Sequence, residues 1–345
     1  MNSINLPDLK GLASRELADF MTAMGQKPYR ARQLASWIFG KGACQFAQMT
    51  DFSAELREKL GQAARITCLQ LIDSQTSADG TTKYLFGLAD GASVESVYIP
   101  DENRRTLCVS TQVGCKLGCA FCLTGAAGFT RDLQPAEIVD QVLRARALAP
   151  DGRVTNIVLM GMGEPLDNFD NTLAAIKILT DPEYGIIGAR KITLSTAGLA
   201  PGIARLAREF SKVKLAVSLN SATDSVRERI MPVNKKYPLA ELARALEEFP
   251  LPRGRRITLE YVLLEGVNDS QADAERLGRF AKRFPSKINL IPFNPAPGIN
   301  FGRPSDQKVE MFKKWLFEMD IPAFIRKSKG QDILAACGQL RGARP

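Results

Sequence analysis

Apolar positions recur at helical spacing over residues 8–63. Ala13, Leu17, Phe20 and Met21 share one face, Ala35, Ile38 and Phe39 a second, and Phe52, Leu56 and Leu60 a third. Over residues 64–100 the pattern shortens to extended runs at 66–69, 83–86 and 94–99, with Asp79-Gly80 and Asp90-Gly91 as turns between them. From residue 106 the chain alternates. Strands are predicted at 107–110, 156–160, 191–195, 214–219, 257–263 and 288–291, with helices at 135–148, 168–179, 202–210, 239–249, 271–284 and 307–318. Repeated β-α units require a parallel sheet covered by helices, either doubly wound or barrel-like; six units make an incomplete barrel. Both architectures put functional residues at the C-terminal ends of the strands. The pattern divides the chain into a helical domain (1–63), a short β extension (64–100), an α/β core (101–325) and a tail (326–345), with Pro100-Asp101 as the main boundary.

Composition narrows the chemistry. The 345 residues are 45% hydrophobic, enough for a real core, and include no His. A Ser-His-Asp triad, a Cys-His dyad, a His-ligated zinc enzyme and an imidazole proton shuttle are therefore excluded. The chemistry must run on thiols, carboxylates, Lys or a bound cofactor. Early acidic residues (Asp8, Glu16, Asp19) argue against a signal peptide, and no apolar run reaches membrane-spanning length. A soluble, cytoplasmic protein without membrane contact is expected. Its seven Cys point to ligands, nucleophiles or buried thiols rather than a disulfide scaffold.

The net charge is +9, and residues 185–256 supply most of it, with 14 Lys and Arg against 6 Asp and Glu. Such a stretch suits an acidic polymer such as RNA or DNA, although a solvated basic face is the bland alternative. The N-terminal helices, with 8 basic against 6 acidic residues, form no strong electrostatic footprint.

After the first core strand comes Gly114-Cys115-Lys116-Leu117-Gly118-Cys119-Ala120-Phe121-Cys122. Three thiolates on one short loop can hold three irons of a 4Fe–4S cube, one cluster per chain, and leave the fourth iron open. A structural zinc site needs a fourth ligand, and the sequence has no second Cys pair or His to supply it. Met160-Gly161-Met162-Gly163-Glu164-Pro165 follows the second strand; Leu166 stands where a dinucleotide fingerprint needs its third Gly. The C-x3-C-x2-C loop at the end of the first strand, followed by this turn, resembles the radical S-adenosylmethionine (SAM) superfamily. That resemblance implies a partial (β/α)6 barrel in which Cys115, Cys119 and Cys122 bind the cluster and the open iron binds SAM.

Further motifs are similar to those of the RlmN/Cfr family within that superfamily. They are 94–100, Ser218-Leu219-Asn220, Met231-Pro232-Val233-Asn234-Lys235-Lys236-Tyr237 and Ala335-Ala336-Cys337-Gly338-Gln339-Leu340. The resemblance covers nearly the whole chain and implies methylation of C2 of an adenine in 23S ribosomal RNA and, in some members, in the tRNA anticodon loop. It implies that Cys337 carries the methyl group as S-methylcysteine, with two SAM consumed per methylation. By the same resemblance, Cys108 resolves the protein–RNA link through a transient Cys108–Cys337 disulfide, and Glu95 removes the C2 proton. Gly163, Glu164, Ser195, Ser218, Leu219, Asn220 and Asn294 correspond to SAM-contacting positions. An electron donor such as flavodoxin or ferredoxin and a monomeric state are also expected. Asn220 departs from the family, which commonly has His there, so this position works by hydrogen bonding only. Cys44 and Cys68 match no role and read as packing residues.

Read on its own residues, Cys108 is equally a small buried hydrophobe, and Glu95 could face solvent. Cys337 sits in a polar tail after Arg326-Lys327-Ser328-Lys329, where cations favour a thiolate. Arg227, Arg229, Lys235, Lys236, Arg253, Arg255 and Arg256 are the candidate phosphate-gripping residues. The competing readings are an enzyme of this family that methylates C8, a glycyl-radical activating enzyme, and a zinc-stabilised RNA-binding protein.

Overall fold

The structure, a computed structural model, describes residues 6–342. Residues 1–5 of the expected helical domain and 343–345 of the expected tail lie outside the described residues. The chain opens with α1 (Ser14–Ala23), α2 (Tyr29–Ala35) and α3 (Ala54–Ala63). Their apolar faces bury Leu17, Met21, Leu34, Leu56 and Leu60. The Ser53 hydroxyl starts α3 by accepting from the Leu56 backbone N–H at 3.2 Å.

An antiparallel meander follows: β1 (Gln70–Thr76), β2 (Thr82–Gly87), β3 (Ser93–Asp101) and β4 (Arg104–Cys108). Next come β5 (Gln112–Gly114), α4 (Leu123–Ala126), β6 (Phe129–Asp132), α5 (Pro135–Leu148), β7 (Asn156–Leu159), α6 (Phe169–Leu179), β8 (Ile192–Thr196) and α7 (Ala200–Phe210). The chain continues with β9 (Lys214–Ser218), α8 (Asp224–Ile230), α9 (Leu239–Glu247), β10 (Ile257–Leu263), α10 (Gln271–Ala281), β11 (Ser286–Pro292), α11 (Asp306–Phe317) and β12 (Ala323–Ile325).

The large sheet runs β1-β2-β3-β4-β7-β8-β9-β10-β11-β12. From β4 onward neighbouring strands are parallel, and the six strands β4 to β11 form the partial barrel. The barrel strands match their predicted positions closely because alternate residues facing the helices are buried Ile, Leu and Val, while the lumen face carries Thr193, Thr258, Lys287 and Asn289.

Four expectations need correction. The first extension strand is Gln70–Thr76, not 66–69; it is exposed along its length and pairs through its backbone, so no apolar alternation marks it. The Pro100-Asp101 boundary falls inside β3, whose Asp101 pairs with Arg104, so the sheet runs unbroken from extension to core. The expected loop after the last helix contains a seventh parallel strand, β12, too short to show a period. Cys44 and Cys68 are joined in a disulfide, with Cα atoms 5.5 Å apart. The bond ties the helical domain to the segment leading into β1, a pairing that two Cys 24 residues apart do not advertise.

The helical domain also docks through a buried ion pair. Lys10 Nζ lies 2.5 Å from Asp140 Oδ1 on α5, with both side chains essentially inaccessible. The other oxygen, Asp140 Oδ2, accepts from the Leu69 backbone N–H at 2.7 Å. One carboxylate thus joins the first helical turn, the linker and the barrel wall. Lys10→Met strands the Asp140 charge and should cost about 3–5 kcal/mol in denaturant unfolding, whereas Lys59→Met at an exposed pair should leave the unfolding midpoint essentially where it is.

Candidate active site

The C-terminal ends of the barrel strands surround one cavity. Cys115, Cys119 and Cys122 line it together with Gly163, Glu164, Ser195, Ser218, Asn220, Asn294 and Cys337. Ten of the expected site residues are thereby brought together. A second, larger cavity of 690 Å³ continues down the barrel lumen and is lined by Cys108, again with Cys337. The two share a wall that includes Met160, Glu260, Arg326 and Cys337.

The thiol loop is pinched at its base by β5 and β6, a hairpin that carries no sequence pattern of its own. Gly114 has φ +79°, and a Cβ on it would lie 1.9 Å from the Gly128 carbonyl oxygen. Only glycine allows that closure. The Cys115 N–H donates to the Gly128 carbonyl at 2.8 Å, and the Ala120 N–H to the Ile230 carbonyl at 2.9 Å. Burial pushes the Cys115 thiol up to about 12, and burial likewise raises Cys119, with the neighbouring thiols adding to it and Arg227 opposing it.

The Gly-rich turn is packed just as closely. Gly163 has φ +98°, and a Cβ there would sit 2.5 Å from Gln112 Cβ; at Gly161 it would meet Ser110 Oγ at 2.7 Å. Gln112 braces the turn by accepting from the Glu164 N–H at 2.8 Å while its amide donates to Asp132 and Asp167. Glu164 itself accepts from the Ala197 N–H at 2.7 Å and the Leu166 N–H at 3.0 Å. Burial raises its carboxyl to about 7 despite those two donors.

Among the described residues, no three Cys, Asp or Glu form a site for a single metal ion. The three thiols instead ring one cavity beside a turn whose glycines leave their backbone bare. That arrangement fits a group larger than one ion, as an iron–sulfur cluster with a bound cosubstrate is.

Arg227, expected on the phosphate-gripping surface, is fully buried. Its guanidinium donates to the carbonyls of Ala197 (2.5 Å) and Leu219 (3.0 Å) and to Asn234 Oδ1 (2.8 Å). Burial pushes it down to about 10. Its charge is spent on holding the ends of β8 and β9 in place, which composition could not reveal. Asn220, directly after β9, has φ +55°, a conformation Asn tolerates better than most residues. Its Oδ1 accepts from the Val262 N–H at 2.8 Å, and its Nδ2 lies 3.1 Å from Met231 Sδ. Leu219 is buried and lines neither cavity; it contributes backbone, accepting from Arg227.

The tail crosses the mouth of the barrel. Gly338 accepts from the Leu123 N–H at 2.8 Å, Thr124 Oγ1 donates to the Leu340 carbonyl, and Asn294 Nδ2 donates to the Cys337 carbonyl at 3.3 Å. Cys337 is an exposed free thiol and Cys108 a buried one. Burial pushes Cys108 up to about 12; the Cys337 thiol adds to the shift and Arg326 opposes it. Glu95 stands apart from both cavities. Its Oε1 pairs with Lys83 Nζ at 3.2 Å, and its Oε2 accepts from the backbone N–H groups of Arg341 (2.8 Å) and Gly342 (3.2 Å).

Two family profiles match the chain. The ribosomal RNA large subunit methyltransferase N-terminal domain covers residues 7–66 and the radical SAM superfamily residues 109–277. The chain is 52% identical to a dual-specificity RNA methyltransferase RlmN of Geobacter sulfurreducens, over 97% of this chain and 92% of the relative. It is 49% identical to that of Anaeromyxobacter dehalogenans, over 97% and 91%. A crystal structure of a radical SAM methyltransferase from Sphaerobacter thermophilus superposes with a TM-score of 0.93 at 45% identity, covering 97% of this chain and 99% of that one.

With its thiol pushed up to about 12, Cys108 is neutral at physiological pH. In the anaerobic holoenzyme its alkylation by iodoacetamide should rise about tenfold per pH unit with no plateau below about pH 10, and exposed Cys337 should label first. Peptide mass spectrometry across a pH series checks both.

Proposed function

The chain belongs to the RlmN family of radical SAM RNA methyltransferases, and from that premise we propose that it methylates C2 of an adenine in 23S ribosomal RNA and of an adenine in the anticodon loop of some tRNAs. The observation that carries this reading is the position of Cys337. It lies on a tail strapped across the barrel mouth, on the wall common to both cavities, near enough to Cys108 to help push that thiol's ionisation up.

When bound, the 4Fe–4S cluster and SAM supply a one-electron cleavage that yields a carbon-centred radical, the chemistry a ring carbon too electron-poor for polar methylation requires. Cys115, Cys119 and Cys122 would hold the cluster as thiolates. Gly163, Glu164, Ser195, Ser218, Asn220 and Asn294 would flank SAM, with Leu219 acting through its backbone. Cys337 carries the methyl group, and Cys108 attacks its sulfur to release the modified base. The S–S bond forms as the Cys337 S–C bond breaks, the electron pair going to the departing carbon, which takes a proton to become the methyl group; an external reductant such as flavodoxin or ferredoxin then restores the thiols and supplies the cluster. Glu95 can take the C2 proton only after its carboxylate is freed from the Arg341 and Gly342 amides. Tail movement and base availability are therefore one event.

The basic stretch divides between two ends of the barrel. Lys235 pairs with Glu228 at 3.8 Å and Lys236 lies over the Tyr237 ring. At the N-terminal ends of the strands, Arg104, Lys214 and Lys287 line the lumen, with Asp101 among them, and Arg253, Arg255 and Arg256 line an adjoining 560 Å³ cavity. Burial lowers Lys214, and Lys287, Arg104, Lys191 and Arg255 lower it further. Like charges crowded this way are relieved by a polyanion, so RNA phosphates are assigned to this end.

Anaerobic enzyme with SAM, reductant and 23S RNA should yield 2-methyladenosine in digested nucleosides by mass spectrometry, and Cys337→Ala should yield none; 8-methyladenosine would contradict the assignment. Replacing Lys214 and Lys287 together by Glu should weaken RNA binding at least tenfold. The same pair of variants should lower the slope of log affinity against log salt by about 1–2, more than the Lys235 and Lys236 reversals do.

A further inference from the structure

Glu260 and Arg326 have no place in the roles assigned so far, yet both stand on the wall between the two cavities. Glu260 lies in the middle of β10 and is 5% exposed. Its Oε1 accepts from Asn289 Nδ2 at 3.0 Å. Its Oε2 is buried and finds no hydrogen-bond partner among the described residues. Arg326 follows β12 and is anchored by its own backbone N–H, which donates to the Leu290 carbonyl at 2.8 Å. Its guanidinium reaches Met160 Sδ at 3.9 Å, a weak acceptor.

A buried carboxylate and a guanidinium in electrostatic contact ordinarily collapse into a bidentate pair. Among the described residues these two form no ion pair within 4.0 Å. Glu260 lies on β10 and Arg326 directly after β12, on opposite sides of β11, which sets their backbones apart. An unused buried carboxylate oxygen is costly, and its cost is recovered when a ligand donor reaches it. The wall therefore offers an acceptor and a set of donors to anything lying in the shared cavity. The matching ligand is flat and carries a hydrogen-bond donor beside an acceptor on one edge. The six-membered-ring edge of adenine, with its exocyclic amine next to N1, has that pattern, and C2 is the atom on the far side of N1.

We infer that Glu260 and Arg326 form the receptor that selects the target base, Glu260 accepting from the exocyclic amine and Arg326 donating to the neighbouring ring nitrogen. The inference rests on the RNA methyltransferase reading and adds to it the residues that recognise the base. Asn289 is a positioning residue: it occupies Oε1 and so turns Oε2 to the ligand.

The test uses the holoenzyme and two short RNA stem-loops that differ only at the target, one with adenine and one with purine, which lacks the amine. Equilibrium binding is read by fluorescence anisotropy, methylation by mass spectrometry. The parent should prefer the adenine RNA about tenfold or more in affinity, and Glu260→Ala should reduce that preference to about twofold or less. Glu260→Gln keeps a carbonyl acceptor and should retain an intermediate preference; it also serves if the Ala variant melts early. A parent-like preference in both variants, with only overall activity lowered, makes Glu260 structural and overturns the inference. So does a loss of SAM affinity with the base preference intact, which would put the carboxylate on the cosubstrate side. Preference in binding without methylation by the parent would leave the receptor standing and remove the methyltransferase reading instead.

Discussion

The guanidinium of Arg227 is the constraint on which the site depends. The barrel strands must end with their carbonyls turned into a cavity, and a carbonyl buried without a donor is expensive. Arg227 answers that need from α8, reaching the ends of two strands and the Asn234 amide at once. A planar fork can satisfy acceptors lying in different directions, which a Lys ammonium on a flexible stem does less well. The same helix ends at Ile230, whose carbonyl accepts from the thiol loop. One buried cation thereby fixes the floor of the cavity and, through its own helix, the loop above it.

The site is otherwise built from elements that lock one another. Ser110 accepts from the Met162 N–H at 2.9 Å and donates to the Glu95 carbonyl at 2.6 Å, joining the Gly-rich turn, the first barrel strand and β3. Gln141 on α5 holds Ser110 from behind through its backbone N–H and carbonyl. These contacts tie β3, outside the barrel proper, to the strand ends that border the cavity. It brings Glu95 under the tail, and the tail brings Cys337 over the lumen.

Much of this was legible in the sequence because every second residue of the barrel strands is a buried apolar one facing the helices and the thiol spacing has few other uses. β10 was read to the residue, and the strand-end motifs fell where a β/α sheet puts function. What stayed hidden depends on partners far along the chain. Arg227 looks like one more surface cation until its acceptors are known. Cys44 and Cys68 pair because a loop turns back, not because of their spacing. β1 escaped notice since its side chains are solvated and its order comes from backbone pairing alone. Glu260 is a single charge in an apolar strand, and which of its oxygens is engaged follows only from Asn289 on the neighbouring strand. Leu219, which the family resemblance places among the SAM-contacting positions, is buried and meets Arg227 through its backbone, a distinction between backbone and side chain that sequence does not carry.

The sheet has two free edges, β1 and β12, and the segment after β12 returns to bridge them. Asp332 accepts from the Ser77 hydroxyl at 2.6 Å, and Asp79 accepts from the Gly330 N–H at 3.1 Å, both beside the β1–β2 turn. A few residues later Gly338 meets the thiol loop. The segment after β12 thus straps the two edges of the sheet together, and lifting it would open the side of the barrel and take Cys337 off the cavity wall at the same time.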